Sequence, residues 1–361
     1  MRLSIIIANH NYCNFVGAAI ESALAIDWPD KEVIVVDDAS SDGSIEVIEG
    51  YSCKVTAYFR PKSNQLGVHA FGFEQSTGDV IIFLDSDDLL EPEVMKEVAK
   101  VWRPGVSKVQ FRMNLIDGVG AQLGSAIPQF PSKDDPEKLR REYLRTTAYT
   151  TPPGSGNAYS QDFVREAFAE LSEIPQSDAV LLTLAPILGD VLTIRKPLAR
   201  YRVHPESFGG MRSLDAVKLR ARLNQDVERG RLLTRVCRRV GMPLSRHSVD
   251  RSLNHLQYRF ASYLIEPSVH PFPGDTLSGL FYRLVRSAIR SAQMPLRNRA
   301  ILIAWTIACA AAPQNYRRSF ILWRFSATSR PAVIRTLLCA LSSLRSPRLP
   351  NRARRPQGRR N

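Results

Sequence analysis

Three aspartates within four positions, Asp85, Asp87 and Asp88, follow directly on the apolar run VIIFL (80–84). Carboxylates this close repel one another unless something offsets their charge. A hard divalent cation with oxygen ligands does so, and Mg²⁺ or Mn²⁺ keeps coordination positions open for phosphate oxygens. A solvated acidic turn, or Asp88 capping the next helix, is the plainer alternative. Two more polar groups stand in the same relation to an apolar run. Asn9-His10-Asn11 follows LSIIIA (3–8), and Asp37-Asp38 follows EVIVV (32–36). Neither GxGxxG nor GxxxxGK[ST] occurs, so the chain offers no dinucleotide fingerprint and no P-loop. No Ser/His/Asp order or Cys/His pair suggests a covalent nucleophile.

Alternating elements must position these groups. Short apolar, β-branched runs at 3–7, 32–36 and 80–84 predict strands, the first two fully buried, and 55–59 predicts a further strand. Helices are expected between them: Phe15–Leu24 with Asn14 as cap, Ile45–Glu49, Leu66–Gln75, and one opened by Glu91-Pro92. Strand–helix alternation at this spacing means right-handed βαβ crossovers and a parallel sheet covered on both faces. Ligands of such sheets bind outside the carboxyl ends of the strands, where the polar groups collect.

Charge divides the chain. Its 361 residues carry a formal +14, but residues 1–210 hold 20 Lys/Arg against 29 Asp/Glu, and residues 211–361 hold 29 against 6. An acidic domain (1–210), a basic helical region (211–345) and an Arg/Pro-rich tail (346–361) expected to be disordered follow from this split. A hydrophobic fraction of 44% argues against a disordered or polytopic membrane chain. Five scattered cysteines without a CxxC suggest neither a disulfide framework nor a zinc site and fit a reducing compartment. MRLSIII is too short for a signal-peptide core. The expectation is a cytoplasmic protein, not a secreted one.

In order and spacing, SIIIANHNY (4–12), VIVVDDASSDGS (33–44) and GDVIIFLDSDDLLEPE (78–93) match a known pattern. Over about residues 1–205 the sequence resembles the inverting family-2 glycosyltransferases of bacterial type. The resemblance implies an α/β GT-A fold, a Rossmann-like and mostly parallel sheet, followed here by a mainly α-helical C-terminal region. It implies transfer of a sugar from a nucleotide-diphosphate donor, a UDP-sugar first among candidates, to a hydroxyl of a glycan, lipid-linked or glycolipid acceptor, with Mn²⁺ or Mg²⁺.

Position by position, Ala8, Asn9 and His10 would border the base, with His10 where an aromatic often stacks. Asp38 would accept an imide N–H of the base, and Asp87 would face sugar and ribose. Asp87 or Asp88 would hold the metal, while Asp85 supports the loop. Asn64 falls in the segment 64–72 that borders the donor, and Gly72 replaces an Asn there, which removes a polar contact. Asp178 falls where the family carries its general base; by spacing alone it is equally a carboxylate at a helix N-terminus. The family's Glu-Asp pair is Ser177-Asp178 here. Arg202 and His204 close a YRxH segment; His204 would complete the metal shell or touch the diphosphate, or be a surface histidine. Asn157, in PPGSGN, would contact acceptor or sugar, or satisfy its own turn.

The rivals are a sugar-phosphate nucleotidyltransferase, whose Gly-rich basic loop after the first strand is missing in ANHNYCNFVG, and a nucleotide-sugar-binding pseudoenzyme, motivated by Ser177. In the basic region, Leu277, Leu280, Phe281, Leu284, Val285, Ala288 and Ile289 recur at helical spacing, with Arg283, Arg286 and Arg290 opposite. Such a helix suits an anionic membrane surface, expected over 277–345 at the inner face of the cytoplasmic membrane, or packs its apolar face on a neighbour. AILIAWTIACAAA (300–312) is too short to span a bilayer. No specific nucleic-acid partner is expected.

Overall fold

The computed structural model describes residues 1–133, 135–170, 180–204, 216–245, 248–291 and 294–325. Asp178 and the 346–361 tail lie outside the described residues.

The expected alternation is present. β1 (Leu3–Asn9), α1 (Cys13–Leu24), β2 (Lys31–Asp38), α2 (Ser44–Glu49), β3 (Thr56–Arg60), α3 (Gln65–Glu74) and β4 (Val80–Asp85) follow in turn. Asn14 is not the cap of α1; Tyr12 takes that position without a side-chain bond. Asn64 does cap α3, accepting from the Gly67 N–H at 2.9 Å. β5 (Leu89–Leu90) and α4 (Val94–Val101) come next, then β6 (Val106–Ile116), α5 (Pro136–Thr146), β7 (Asn157–Ser160), α6 (Gln161–Ala169), α7 (Val180–Leu188) and β8 (Asp190–Arg202). Asp135 caps α5, with Pro136 in the first turn where its missing N–H is harmless.

Among the described residues the strands form one sheet in the order β3-β2-β1-β4-β7-β6-β8-β5. β1 to β4 are mutually parallel where they pair, β7 runs antiparallel to β4 and β6, and β6 is parallel to β8. The fold is the expected mostly parallel α/β sheet. The long strands β6 and β8 escaped the sequence pattern because they interleave Lys, Gln, Arg and Pro with apolar residues and pair through register shifts.

Period-2 side-chain alternation sorts the first strands between two faces. Leu3, Ile5 and Ile7 join Val33, Val35, Val80, Ile82 and Leu84 on the α1 side. Ile6, Ile81 and Phe83 face α6 and α7 instead. α3 lies so close to the sheet that a Cβ on Gly72 would sit 2.4 Å from Ile6 Cγ2. Gly72 is therefore a packing requirement of the helix–sheet contact, which corrects its reading as a lost donor contact.

The remaining helices are α8 (Ala216–Arg239), α9 (Leu253–Ile265), α10 (Leu277–Arg290), α11 (Leu296–Ala311) and α12 (Gln314–Phe325). α8 ties the two regions together: Leu232, Leu233, Val236 and Cys237 join the α7 core, and Leu219 joins Leu256, Phe260, Leu280, Leu284 and Leu302 in a separate helical core. Leu280, Leu284 and Ala288 of the α10 stripe pack inside that core against α9 and α11, while Ile289 stays exposed. No described helix is long and apolar enough to cross a membrane.

Candidate functional site

Register aligns the strand ends. Asn9 pairs opposite Asp37, and Ala8 opposite Asp85, so β2, β1 and β4 deliver their polar residues to one edge. With strands ~4.8 Å apart, the Asp37 and Asp85 backbones lie ~10 Å from each other. Asn9, the first polar residue after the β1 run, is buried and donates from Nδ2 to Asp37 Oδ2 at 2.7 Å. Ser40 adds its N–H (2.8 Å) and hydroxyl (2.6 Å) to the same carboxylate. Asn9 and Asp37 thus hold the β1 and β2 ends together. Ala8 and His10 stand beside them, half-buried.

Asp38 is buried on the β3 side. Its Oδ1 accepts from Ser63 N–H (2.6 Å) and Ser63 Oγ (2.8 Å), and Lys62 Nζ lies 3.0 Å from Oδ2. Burial alone would raise its pKa, but these hydrogen bonds outweigh it and hold the carboxyl below the ordinary range. The group is ionised, and the exposed Lys62 side chain is its movable partner.

The acidic turn after β4 resolves into three different environments. Asp85 receives Gln65 Nε2 on Oδ1 at 2.8 Å, and its N–H donates to Ser155 Oγ at 3.1 Å. That agrees with a loop-supporting role. Asp88 is 0% exposed and accepts the Arg202 N–H on Oδ1 at 2.9 Å. Burial, then the charges of Asp85 and Asp87, push its carboxyl well above the ordinary range. Oδ1 of Asp88 therefore ties the turn to β8, while its Oδ2 is buried without a hydrogen-bond partner among the described residues. Asp87 meets an imidazole, with Oδ2 3.0 Å from His204 Nε2.

His204 is not a surface residue; its ring is buried edge-on to Tyr12 and beside Phe15, at centroid distances of 5.6 and 4.9 Å. The field of the carboxylates reaches Tyr201, whose phenol is pushed up to about 12 by burial and then by Asp88, Asp87 and Asp85.

Two expected sugar contacts are structural instead. Arg202 donates to the carbonyls of Asp87 (2.8 Å), Asp117 (3.1 Å) and Gly118 (3.2 Å), and its guanidinium lies 5.0 Å from the Phe15 ring centre. It fastens β8 to the acidic turn. Asn157 is fully buried and donates to the carbonyls of Pro153 (2.8 Å) and Gly154 (2.9 Å). Its amide satisfies the turn beside Asp85.

Sequence reasoning missed Gln65, Ser63, Ser155 and the Tyr12–Phe15 wall around His204. Only the tyrosine and phenylalanine carried a signal, as aromatics just after the first strand end. It also missed a buried polar layer under the site. Lys108 is completely enclosed and donates to Tyr149 Oη and Thr151 Oγ1, both at 2.9 Å, while Gln110 donates to the Thr150 carbonyl. Burial drives the Lys108 pKa well below its ordinary value.

Among the described residues no three His, Cys, Asp or Glu side chains gather as a complete metal shell. Asp87 and His204 still fit a shared cation. A carboxylate and an imidazole meet at an edge where donor phosphates could supply the remaining oxygens, as Mg²⁺-type sites commonly require.

Parallel strands ending in such carboxylates, followed by an antiparallel β7, define a GT-A type α/β domain. Residues 4–166 match the model of the family described as Glycosyl transferase family 2, so this part of the chain is similar to that family of transferases. An uncharacterized glycosyltransferase of Nostoc sp. is 32% identical over 212 residues, 56% of this chain and 65% of the relative. The cholesterol galactosyltransferase of Borreliella burgdorferi is 29% identical, over 42% of this chain and 43% of its own. The poly(ribitol-phosphate) beta-N-acetylglucosaminyltransferase TarS of Staphylococcus aureus is also 29% identical, over 27% and 18%. The chain thus spans less than two thirds of the length of these relatives. A crystal structure of S. aureus TarS 1–349 with UDP-GlcNAc shares the fold at a TM-score of 0.53 and 14% identity, over 89% of this chain and 90% of that one.

Proposed function

We propose that the protein transfers a sugar, with inversion, from a nucleoside-diphosphate donor to a hydroxyl of a glycan or glycolipid acceptor. The observation that carries this reading is the convergence of Asp38, Asp87 and His204, on the ends of β2, after β4 and after β8, at the edge where Asn9 locks β1 to β2. Charged oxygens at the carboxyl ends of parallel strands suit a donor whose base, ribose and diphosphate lie along one edge. The ionised Asp38 accepts a base N–H once Lys62 moves, His10 borders the base, and Gln65-held Asp85 keeps the turn in place. Asp87 and His204 would hold a Mn²⁺ or Mg²⁺ ion. When bound, that ion stabilises the charge developing on the leaving diphosphate. Asp178 is assigned from the resemblance as the base taking the acceptor proton, a role typically worth ~10²–10⁴-fold.

A melting-temperature screen of UDP-, GDP-, dTDP- and CMP-sugars with and without Mn²⁺ tests the reading. One donor should stabilise the protein in a Mn²⁺-dependent way. Asp87→Ala should lose that increment while its ligand-free melting temperature stays near wild type. Asp88→Ala should melt lower under every condition, because it releases the Arg202 clamp. Mn²⁺-dependent stabilisation that survives in Asp87→Ala would overturn the metal assignment; no donor shift in wild type would overturn the function.

A further inference from the structure

A cleft of about 900 Å³ lies between the end of α5 and the helical region, lined by none of the strand-end residues above. Five arginines face it against two carboxylates. Both acids are already engaged: Glu142 by Arg145 at 2.6 Å, and Asp250 by Arg259 at 2.6 Å. Arg283 is held on Asp275. Arg251, Arg286 and Arg290 make no ion pair among the described residues, and all three are exposed. Arg283, Arg286 and Arg290 share one face of α10, because residues three and four apart stand above one another. The opposite face is buried in the helical core, which turns the cationic face toward the cleft. Like charges so close cost free energy without a counter-anion, and guanidinium forks bind phosphate oxygens bidentately.

One wall connects this cleft to the acidic edge. Thr146, Ala148, Tyr149 and Thr150 line it, and the chain runs on from Thr150 to Ser155, whose hydroxyl accepts the Asp85 N–H. Five extended residues reach at most ~17 Å, a few sugar units. The few apolar side chains, Leu253 and Met294 among them, leave no continuous groove for an acyl chain.

We propose that the cleft holds a phosphodiester-bearing stretch of the acceptor glycan, behind the hydroxyl that receives the sugar. This rests on the transferase reading above and names its acceptor class.

The test uses the full chain and a fluorescent, phosphodiester-linked glycerol-phosphate oligomer, followed by anisotropy. Arg286→Glu/Arg290→Glu should weaken binding by about tenfold or more, with a shallower salt dependence. The charge-matched control Arg238→Glu/Arg318→Glu, on exposed residues outside the cleft, should stay within about twofold of wild type. Circular dichroism and the nucleotide-sugar shift should be unchanged in both. Equal loss in the two variants would show that overall charge binds the oligomer and would overturn the proposal. So would tighter, cleft-dependent binding to phosphatidylglycerol vesicles than to the oligomer, which would make the ligand a lipid headgroup. If wild type binds the oligomer through the cleft but no nucleotide sugar, the anion site stands while the transferase reading, and the acceptor role with it, falls. A nucleotide-sugar shift without cleft-dependent oligomer binding sinks the acceptor proposal alone.

Discussion

The acidic turn after β4 and the helical region treat their carboxylates in opposite ways. In the helical region each buried acid is clamped by cations. Asp226 meets His255 and Arg229, both at 3.1 Å, and Asp275 takes Arg259, Arg283 and His270 together. Burial pushes the Asp275 carboxyl up, but hydrogen bonds from His270 and Arg259 outweigh it and leave the group below its ordinary range. At the sheet edge three aspartates crowd into four positions, and Asp88 is driven the other way. Compensated charge there is architecture; the crowded charge at the strand ends is where the proposed cation and donor would bind. Histidines do not divide by region, since His204 meets Asp87 in the sheet domain. His255 and His270 lean on carboxylates, whereas His69 is buried in α3 against Phe83 with Nε2 unpartnered.

The largest expected effect is on the clamp. Asp275→Asn should destabilise the protein by about 3–5 kcal/mol, because it strands buried cations, and urea titration followed by circular dichroism reads it. A loss under about 1 kcal/mol would mean that the helical region does not depend on its ion pairs, and the contrast would collapse.

Acid should then separate the regions. Burial lowers the His69 pKa from 6.5 to about 4, so between those values the unfolded chain binds the extra proton. Stability should therefore fall as pH drops from about 6.5 to about 4, by on the order of 3 kcal/mol from this group. His69→Leu should remove that slope. The Asp275 contribution has a lower window: its depressed pKa keeps it fully present above the ordinary carboxylate value of 3.8, to be lost only as pH falls further. Tryptophan fluorescence against pH for wild type and His69→Leu checks the first window. A wild-type curve flat from 6.5 to 4 would remove histidine from the comparison.

The smallest change concerns packing. Gly72→Ala should cost about 1–3 kcal/mol by forcing α3 off Ile6. A donor-binding loss far larger than the melting shift would return position 72 to the nucleotide site.

Much of the architecture was legible along the chain, since the buried parallel strands β1, β2 and β4 read as apolar, β-branched runs, and these and the more exposed edge strand β3 fall within a residue or two of their expected bounds. β6 and β8 were not, because their polar side chains are satisfied by partners distant in sequence: Lys108 by Tyr149 and Thr151, Arg202 by Asp117 and Gly118. The same blindness affected the site. The resemblance pointed to Asp38, Asp87 and His204 as candidates, but residue type and spacing could not tell an acid at the edge from one sealed beneath it.

The sequence by itself determined the α/β class, the acidic strand ends and the division of charge, because periodicity and composition are local properties. Only the tertiary structure decided that Asp88, Arg202 and Asn157 bond to backbone groups, that His204 reaches Asp87, and that the arginines of α10 line a cleft. Those facts depend on which groups burial brings within hydrogen-bond distance, often across more than a hundred residues, and on which polar atoms that burial leaves to be satisfied.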